Sequence, residues 1–386
     1  MKTCKRYFIR KIVVSVLLCI FLVPGQYYEA SASESTGQSV RTISYEEMPM
    51  ILDLIANRIH GNYMQIITWS GEIDVKISRV LTGVSAEDIF RNFTDAKGTI
   101  PEAILQKTGE KIKFAIDANK EYVYIDKFRE RPSQYLNNIT GKDLGNSGSN
   151  PYWSTSISRS DFFLEAKANR INTKEKKISR RKAVKRNSLQ KDFRTMLYKG
   201  IDDPRKIFVP GAIYVWEHHK TLIERISKTG KIEFDGYKFQ IEEHKKGSIT
   251  EYKIIQPSVV SLERKDPNDY IIQTKIYSSQ YGFNIIYWEV NTGGGEPVQQ
   301  FSYEYELING VYLPKRVITK HYGSERKLSL EKDSTYINNK INKKIPAEKF
   351  EYMNLNLKEG DIFIDEILNK EYRYKAATHT LKEVEK

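Results

Sequence analysis

Apolar residues between positions 48 and 59 recur at every third or fourth place: Met48, Ile51, Leu52, Ile55 and Ile59. That spacing puts them on one face of a helix. It predicts an amphipathic helix over 45–60, with Gly61 as its stop. The period then falls to two. Ile67, Trp69, Gly71, Ile73, Val75 and Ile77 alternate with Thr68, Ser70, Glu72, Asp74, Lys76 and Ser78, which predicts a long strand with one apolar and one polar face. Positions 85–93 suit a short helix, with Ser85 capping it and Asp88 where an acid favours the helix dipole. Ile112, Phe114 and Ile116 alternate again, ahead of a turn at Asp117-Ala118-Asn119-Lys120 and a strand over 122–128.

Residues 130–160 read as loop, with Gly141, Gly145 and Gly148 among paired serines and asparagines. Asp203-Pro204 fits the opening of a helical turn. The pattern over 215–227 fits helix and strand equally. From Lys231 onward it is almost wholly β. A two-residue Asp235-Gly236 turn sets Phe234 opposite Tyr237 and Ile232 opposite Phe239, all on one face. Tyr252 and Ile254 mark one further strand, and others follow at 270–277, 283–290, 301–307 and 311–319. Asn309-Gly310 joins the last two as a second hairpin turn. Gly293-Gly294-Gly295 lies between strands with no helix after it to hold a phosphate, so it reads as a hairpin loop. Strand character closes at 363–375. Long strands joined by tight turns predict antiparallel neighbours.

Some of these strands offer apolar groups on both faces. Tyr122 and Tyr124 alternate with Val123 and Ile125, and Ile285 and Tyr287 with Ile286 and Trp288. Such a sheet must be covered twice or curl round an apolar interior. The fold expected is mainly β, of the α+β class: a large curved antiparallel sheet or unclosed β-barrel with helix 45–60 as its lid.

The first 32 residues change the picture of where the chain works. Lys2, Lys5, Arg6, Arg10 and Lys11 precede an apolar run over 12–23, and Ala30-Ser31-Ala32 supplies a small-x-small site. This is the layout of a cleavable secretory signal peptide. A retained anchor is one alternative, although the run is shorter than the roughly 18 residues of a spanning helix. Lipidation at Cys19 is another, but Leu17 and Leu18 stand where a lipobox needs small residues. Both cysteines, Cys4 and Cys19, lie in this segment, so the exported chain would lack thiol chemistry and disulfides. Removing 32 of 386 residues leaves 354, enough for one large β domain or two smaller ones. The segment also accounts for four of the +13 net charges, which leaves about +9. An exported chain of that charge meets anionic lipid or acidic polysaccharide sooner than nucleic acid. The expected organisation is a signal peptide over 1–32 and a flexible segment over 33–44. A β-rich domain follows over 45–375, with a basic insertion near 165–190, and then a polar tail over 376–386. No other stretch is long and apolar enough to span a membrane. The expectation is a bacterial protein of the periplasm or exterior, soluble after cleavage near Ala32.

Candidate chemistry is sparse. No nucleophile elbow, His-Glu-x-x-His pair, P-loop or strand-linked Gly-x-Gly-x-x-Gly occurs, and neither cofactor nor metal is expected. His218 and His219 are adjacent, so they point to opposite sides of a strand or about 100° apart on a helix and do not suit one metal. Asp361, Asp365 and Glu366 cluster in sequence; a solvated face is the ordinary reading and a glycosidase-like pair the alternative. Between Lys167 and Arg186 ten bases stand against one acid, Glu175. That run reads as a solvated insertion loop, or as a contact with an anionic membrane surface.

Several of these stretches together resemble the LolA/LolB-like superfamily of outer-membrane lipoprotein-sorting carriers. They are the signal peptide, the helix from Met48 to Ile59, and the run Tyr63-Met64-Gln65-Ile66-Ile67-Thr68-Trp69-Ser70-Gly71-Glu72 that leads into a long strand. The hairpin Phe114-Ala115-Ile116-Asp117 to Tyr122-Val123-Tyr124-Ile125-Asp126 and the segment Asn309-Gly310-Val311-Tyr312-Leu313-Pro314 are similar too. The resemblance implies an unclosed antiparallel barrel plugged by helices, with an apolar interior that holds acyl chains. The expected function is therefore an exported, non-enzymatic binding protein for a lipid or lipoprotein acyl chain. Trp69, Ile73, Val75, Phe114 and Ile116 would line the cavity. The alternatives are an envelope interaction protein with a packed core, or a hydrolase acting on polysaccharide.

Overall fold

The computed structural model describes residues 39–83, 85–87, 102–129, 134–141, 143–146, 152–159, 162–167, 182–187, 205, 212–230, 233–234, 237–259, 270–323 and 326–384. The expected signal peptide, Ile232, the Asp235-Gly236 pair, Asp203-Pro204 and the stretch 168–181 of the basic run lie outside them. Of the short helix expected over 85–93, only 85–87 are described, and they are helical.

Helix α1, Met48–Met64, is entered through a capping turn. The Ser44 N–H donates to Glu47 Oε2 at 3.3 Å, and the N–H groups of Glu47 and Met48 donate to Ser44 O. Pro49 sits in the first turn, where its missing N–H is not needed. Gly61 does not end the helix. Asn62 and Tyr63, the next two residues, are buried and bonded to the sheet, which outweighs the roughly 1 kcal/mol that glycine costs inside a helix. The ambiguous stretch 215–227 lies inside a second helix, α2, Ala212–Thr229, which packs on α1.

In chain order the first strands are β1 Ser39–Thr42, β2 Thr68–Thr82, β3 Ala103–Asp117, β4 Tyr122–Arg129, β5 Gln134–Asn137, β6 Asp143–Asn146, β7 Tyr152–Ser158, β8 Phe162–Lys167 and β9 Lys182–Asn187. After α2 come β10 Glu233–Phe234, β11 Tyr237–Lys238, β12 Gln240–Lys246, β13 Ile249–Val259, β14 Tyr270–Ser278, β15 Asn284–Thr292, β16 Pro297–Ile308, β17 Val311–Tyr322 and β18 Leu328–Ile341. The last are β19 Ile362–Asp365, β20 Lys370–Lys375 and β21 Thr380–Glu383. Strands β10 and β11 form a small hairpin with Phe234 opposite Tyr237, the register that the Asp-Gly turn dictates.

The other strands join in one sheet among the described residues. From one edge it runs β1, β12, β13, β14, β15, β16, β17, β18, β2, β3, β4, β7, β8, β9, β19, β20, β21. Strand β5 pairs with the start of β3, and β6 with β5. Neighbours are antiparallel, except that β9 and β19 are parallel. Among the described residues no pairing joins β1 to β21, so the sheet is open.

The curvature follows from burial. One apolar cluster holds Ile51, Leu52, Ile55 and Ile59 of α1 and Leu222 and Ile226 of α2, together with side chains from ten consecutive strands, β12 to β18 and β2 to β4. Ten strands laid flat span about 43 Å, whereas a helix is about 10–12 Å across. Two helices reach all ten only if the sheet wraps around them. The opposite face of β3 and β4 is covered as well. Ala115, Tyr124 and Ile157 pack there against Phe350, Leu355, Phe363 and Tyr374. Strand β4, apolar on both faces, is therefore covered twice.

Besides Gly61, the structure departs from the expected elements at four places. Stretch 130–160 contains β5, β6 and β7, because Gly145 and the serines at 154, 156 and 158 sit in short strands that the sheet supplies with partners. Residues 39–42 of the segment expected to be flexible pair with β12. In the polar tail, Thr380–Glu383 pairs with β20 as an edge strand, where polar side chains suit an exposed edge. Strand β18 has no counterpart in the expectations, for a reason taken up in the Discussion.

Candidate functional site

The register sorts the concave face into rows that cross the sheet. Near α1 one row is Ile341, Trp69, Ile116 and Val123. Further along the strands come Tyr336, Ile73, Ile112 and Lys127, and then Tyr303, Val317, Ser334, Val75 and Glu110. The next row is Lys275, Trp288, Phe301, Thr319, Lys332 and Ile77. Last is Gln273, Val290, Gln299, His321, Leu330, Arg79 and Gln106. One continuous surface thus grades from wholly apolar to polar and cationic. The distance from Trp69 to Arg79 along β2 is about 33 Å at strand rise.

At the apolar end the five residues expected to line a cavity do come together. Trp69, Ile73, Val75, Phe114 and Ile116 belong to the cluster beneath the helices and are 0–6% exposed. Trp69 and Ile116, like Leu52, Ile55, Ile59 and Tyr63, are 0% exposed. A side chain at that value touches neither bulk water nor a void wide enough for one. Here the helix fills the curl. Trp69 is held on both sides: its ring meets Phe114 edge-on at 5.1 Å, and its Nε1–H donates to Asn339 Oδ1 at 2.9 Å. Gly71 leaves the space for that arrangement. A Cβ there would stand 2.9 Å from Asn339 Oδ1 and 3.1 Å from the Phe114 ring.

The attachment of α1 is also polar. Asn62 acts like a strand residue: its Nδ2 donates to Tyr312 O at 2.9 Å, and its Oδ1 accepts from Tyr312 N–H at 2.8 Å. Tyr63 Oη donates to Asn284 Oδ1 at 3.0 Å. From α2, His219 is buried with Nδ1 3.2 Å from Leu52 O, and its ring lies edge-on to Tyr277. Burial holds its pKa down, at about 3, so the ring is neutral. His218 turns instead to Gln256, and no cluster of metal-ligating residues occurs among the described residues.

Along the middle rows the rings of Trp288, Phe301, Tyr303 and Tyr305 stack in series, with centroids 4.6, 6.3 and 6.4 Å apart. Tyr277 Oη, Tyr303 Oη and Trp288 Nε1 are buried without a hydrogen-bond partner. Lys275 lies 5.4 Å over the Trp288 ring, and burial lowers its pKa to about 8. Burial also lowers the pKa of Lys332. Glu110, 4% exposed, pairs with Lys127 at 2.8 Å and Arg129 at 2.5 Å. Burial pushes its carboxyl up, but these bonds outweigh that and hold it below the usual range.

The polar end opens into a groove of about 700 Å³, lined by Ile77, Arg79, Gln106, Thr108, His321 and Leu330 among others. That volume is within the 300–1,000 Å³ usual for ligand sites. Residue patterns singled out five residues at the packed end; this open end was missed, because its lining mixes apolar residues such as Ile77 and Leu330 with polar and cationic ones and carries no single pattern.

The acidic cluster does not span a cleft. Asp361 accepts from Lys358 N–H, and Asp365 accepts from Ile367 and Leu368 N–H and pairs with Lys185. Each of these two carboxylates holds a backbone turn, and Glu366 is exposed at the β19–β20 hairpin.

No family model matches the chain, and no curated protein matches it. Solved structures do. A DUF1329 family protein from Desulfovibrio piger aligns over 80% of this chain and 98% of its own, with TM-score 0.35 and 10% identity. A LolA superfamily protein from Nitrosomonas europaea aligns over 81% and 100%, with TM-score 0.28 and 10% identity. A domain from Vibrio parahaemolyticus, provisionally described as an outer membrane lipoprotein-sorting protein, aligns over 78% and 97%, with TM-score 0.31 and 7% identity. The chain is a mainly β protein built on a large open sheet.

Proposed function

We propose that this is an exported, non-enzymatic binding protein whose concave face takes the acyl chain of a lipid or lipoprotein. The observation that carries the reading is the grading of one curved surface from Trp69 and Ile116 to Arg79 and Gln106, with an open groove at the polar end. That is the polarity profile of an amphiphile. The head group would sit among Arg79, Gln106 and His321, and the chain would run over Ile77 and Phe301 toward the helices.

Magnitudes make the exchange feasible. To pass beyond the middle rows, a chain must displace α1. Five buried side chains of that helix (Ile51, Leu52, Ile55, Ile59 and Tyr63) contribute about 8–15 kcal/mol between them. An acyl chain of about 15 methylenes contributes about 12 kcal/mol at 0.8 each. The two are comparable, so α1 can serve as an internal stand-in for the ligand.

The solid packing around Trp69 favours a second reading, an envelope interaction protein whose interior never opens. One experiment separates the two. A fluorescent fatty acid is titrated into wild type and into Phe301→Asp, a change at a half-buried position. The binding reading expects saturable uptake by wild type and at least about tenfold weaker uptake by the variant. Absence of uptake by a folded wild-type chain overturns it in favour of the packed core.

A further inference from the structure

On the convex side of the sheet a second groove, of about 670 Å³, runs between β2, β3 and the segment that follows β18. Five lysines line it, Lys113, Lys340, Lys343, Lys344 and Lys349, against one carboxylate, Glu72. Glu72 is 4.0 Å from Lys113 Nζ, at the limit of an ion pair. Lys349 is turned inward: its Nζ stands 3.7 Å over the Tyr124 ring, and burial lowers its pKa. Ile345, Pro346 and Ala115 give the groove an apolar wall.

Five like charges round one concavity repel one another, and the repulsion grows where the surroundings exclude water. Neither helix packing nor sheet pairing requires them there. We infer that this groove binds a phosphate-bearing ligand. The choice of phosphate over carboxylate rests on the cation. No arginine lines the groove, and arginine is the side chain whose planar fork matches a carboxylate. Lysines act as separate point charges around an anion of higher charge, and a phosphomonoester carries about −1.5 to −2. The Tyr124 ring and the Ile345-Pro346 wall suit the organic part. The site is distinct from the concave face, to which Lys113, Lys340 and Tyr124 turn their backs.

Lipid head groups and soluble phosphate compounds share this chemistry, so the test uses both. Full-length mature chain is titrated with pyrophosphate by calorimetry and, separately, with phosphatidylcholine vesicles with and without phosphatidylglycerol. The same titrations are run on K340Q/K343Q/K344Q and on a control of equal charge loss, K220Q/K246Q/K382Q, whose exposed lysines lie outside the groove. The groove variant should bind at least about tenfold more weakly, while the control stays within about twofold of wild type. Preference for vesicles assigns a membrane head group, and preference for pyrophosphate assigns a soluble ligand. Equal weakening in both variants, or no binding of either probe by folded wild type, overturns the inference. Neither result depends on fatty-acid uptake by the concave face.

Discussion

Gly71 shows how much one residue can decide. It stands in a strand, where glycine is ordinarily unfavourable, because the Asn339 carboxamide and the Phe114 ring occupy the place of its Cβ. Asn339 has little freedom to retreat, since it accepts from Trp69 and donates to Glu306 at 2.8 Å. Gly71→Ala should therefore cost about 1–3 kcal/mol. Chemical denaturation checks this, and a loss below about 0.5 kcal/mol would contradict the packing described. His219 makes a pH prediction. Its folded pKa is about 3 against the usual 6.5, so the unfolded chain binds a proton that the folded chain refuses between those values. Its contribution to stability is complete above pH 6.5 and drains away as pH falls toward 3. Between pH 7.5 and 5 the loss should be about 2 kcal/mol. His218, lowered by burial as well, adds to it in the same direction. In His219→Phe the urea midpoint should move much less between those two pH values; an unchanged pH response would refute a neutral, buried His219. The sequence named both histidines but not their surroundings, which come from residues far away in the chain.

At the scale of elements, the helix that seals the apolar end is the piece expected to move. Its pins are few and specific, with Asn62 bridging both backbone groups of Tyr312. Asn62→Ala strands that N–H and carbonyl, so it should cost about 1–3 kcal/mol. If α1 stands in for ligand, the same change should speed fatty-acid uptake in stopped-flow fluorescence; slower or unchanged uptake in a folded variant would count against a mobile α1. Elements with a strong period were legible. The helix stripe from Met48 to Ile59 and the alternation from Trp69 to Ile77 have one apolar face each, and Asn309-Gly310 turns a hairpin with both residues at positive φ. Strand β18 was not legible. Its inward residues include Lys332 and Ser334, so no apolar alternation marks it, and only pairing with β17 and β2 makes it a strand. The same polarity that hid β18 helps give the concave face its polar end. The helix over 212–229 was ambiguous for a related reason: His219 sits on its buried side and breaks the apolar stripe.

For the whole molecule, the sheet's curl follows from many strands sharing two helices, and that relation was within reach of the sequence. Strands apolar on both faces already required either curvature or a double cover, and the structure has both. Which end of the concave surface stays open was beyond reach, because it depends on the register of β14 to β18 and β2 with one another. The central claim, that the concave face holds an acyl chain, is tested most directly by native mass spectrometry of the protein purified without detergent. The account predicts a population heavier than the apo chain by one lipid mass, which is released on collisional activation and depleted in Phe301→Asp. A single apo mass in repeated preparations, with no uptake of added fatty acid, would contradict it.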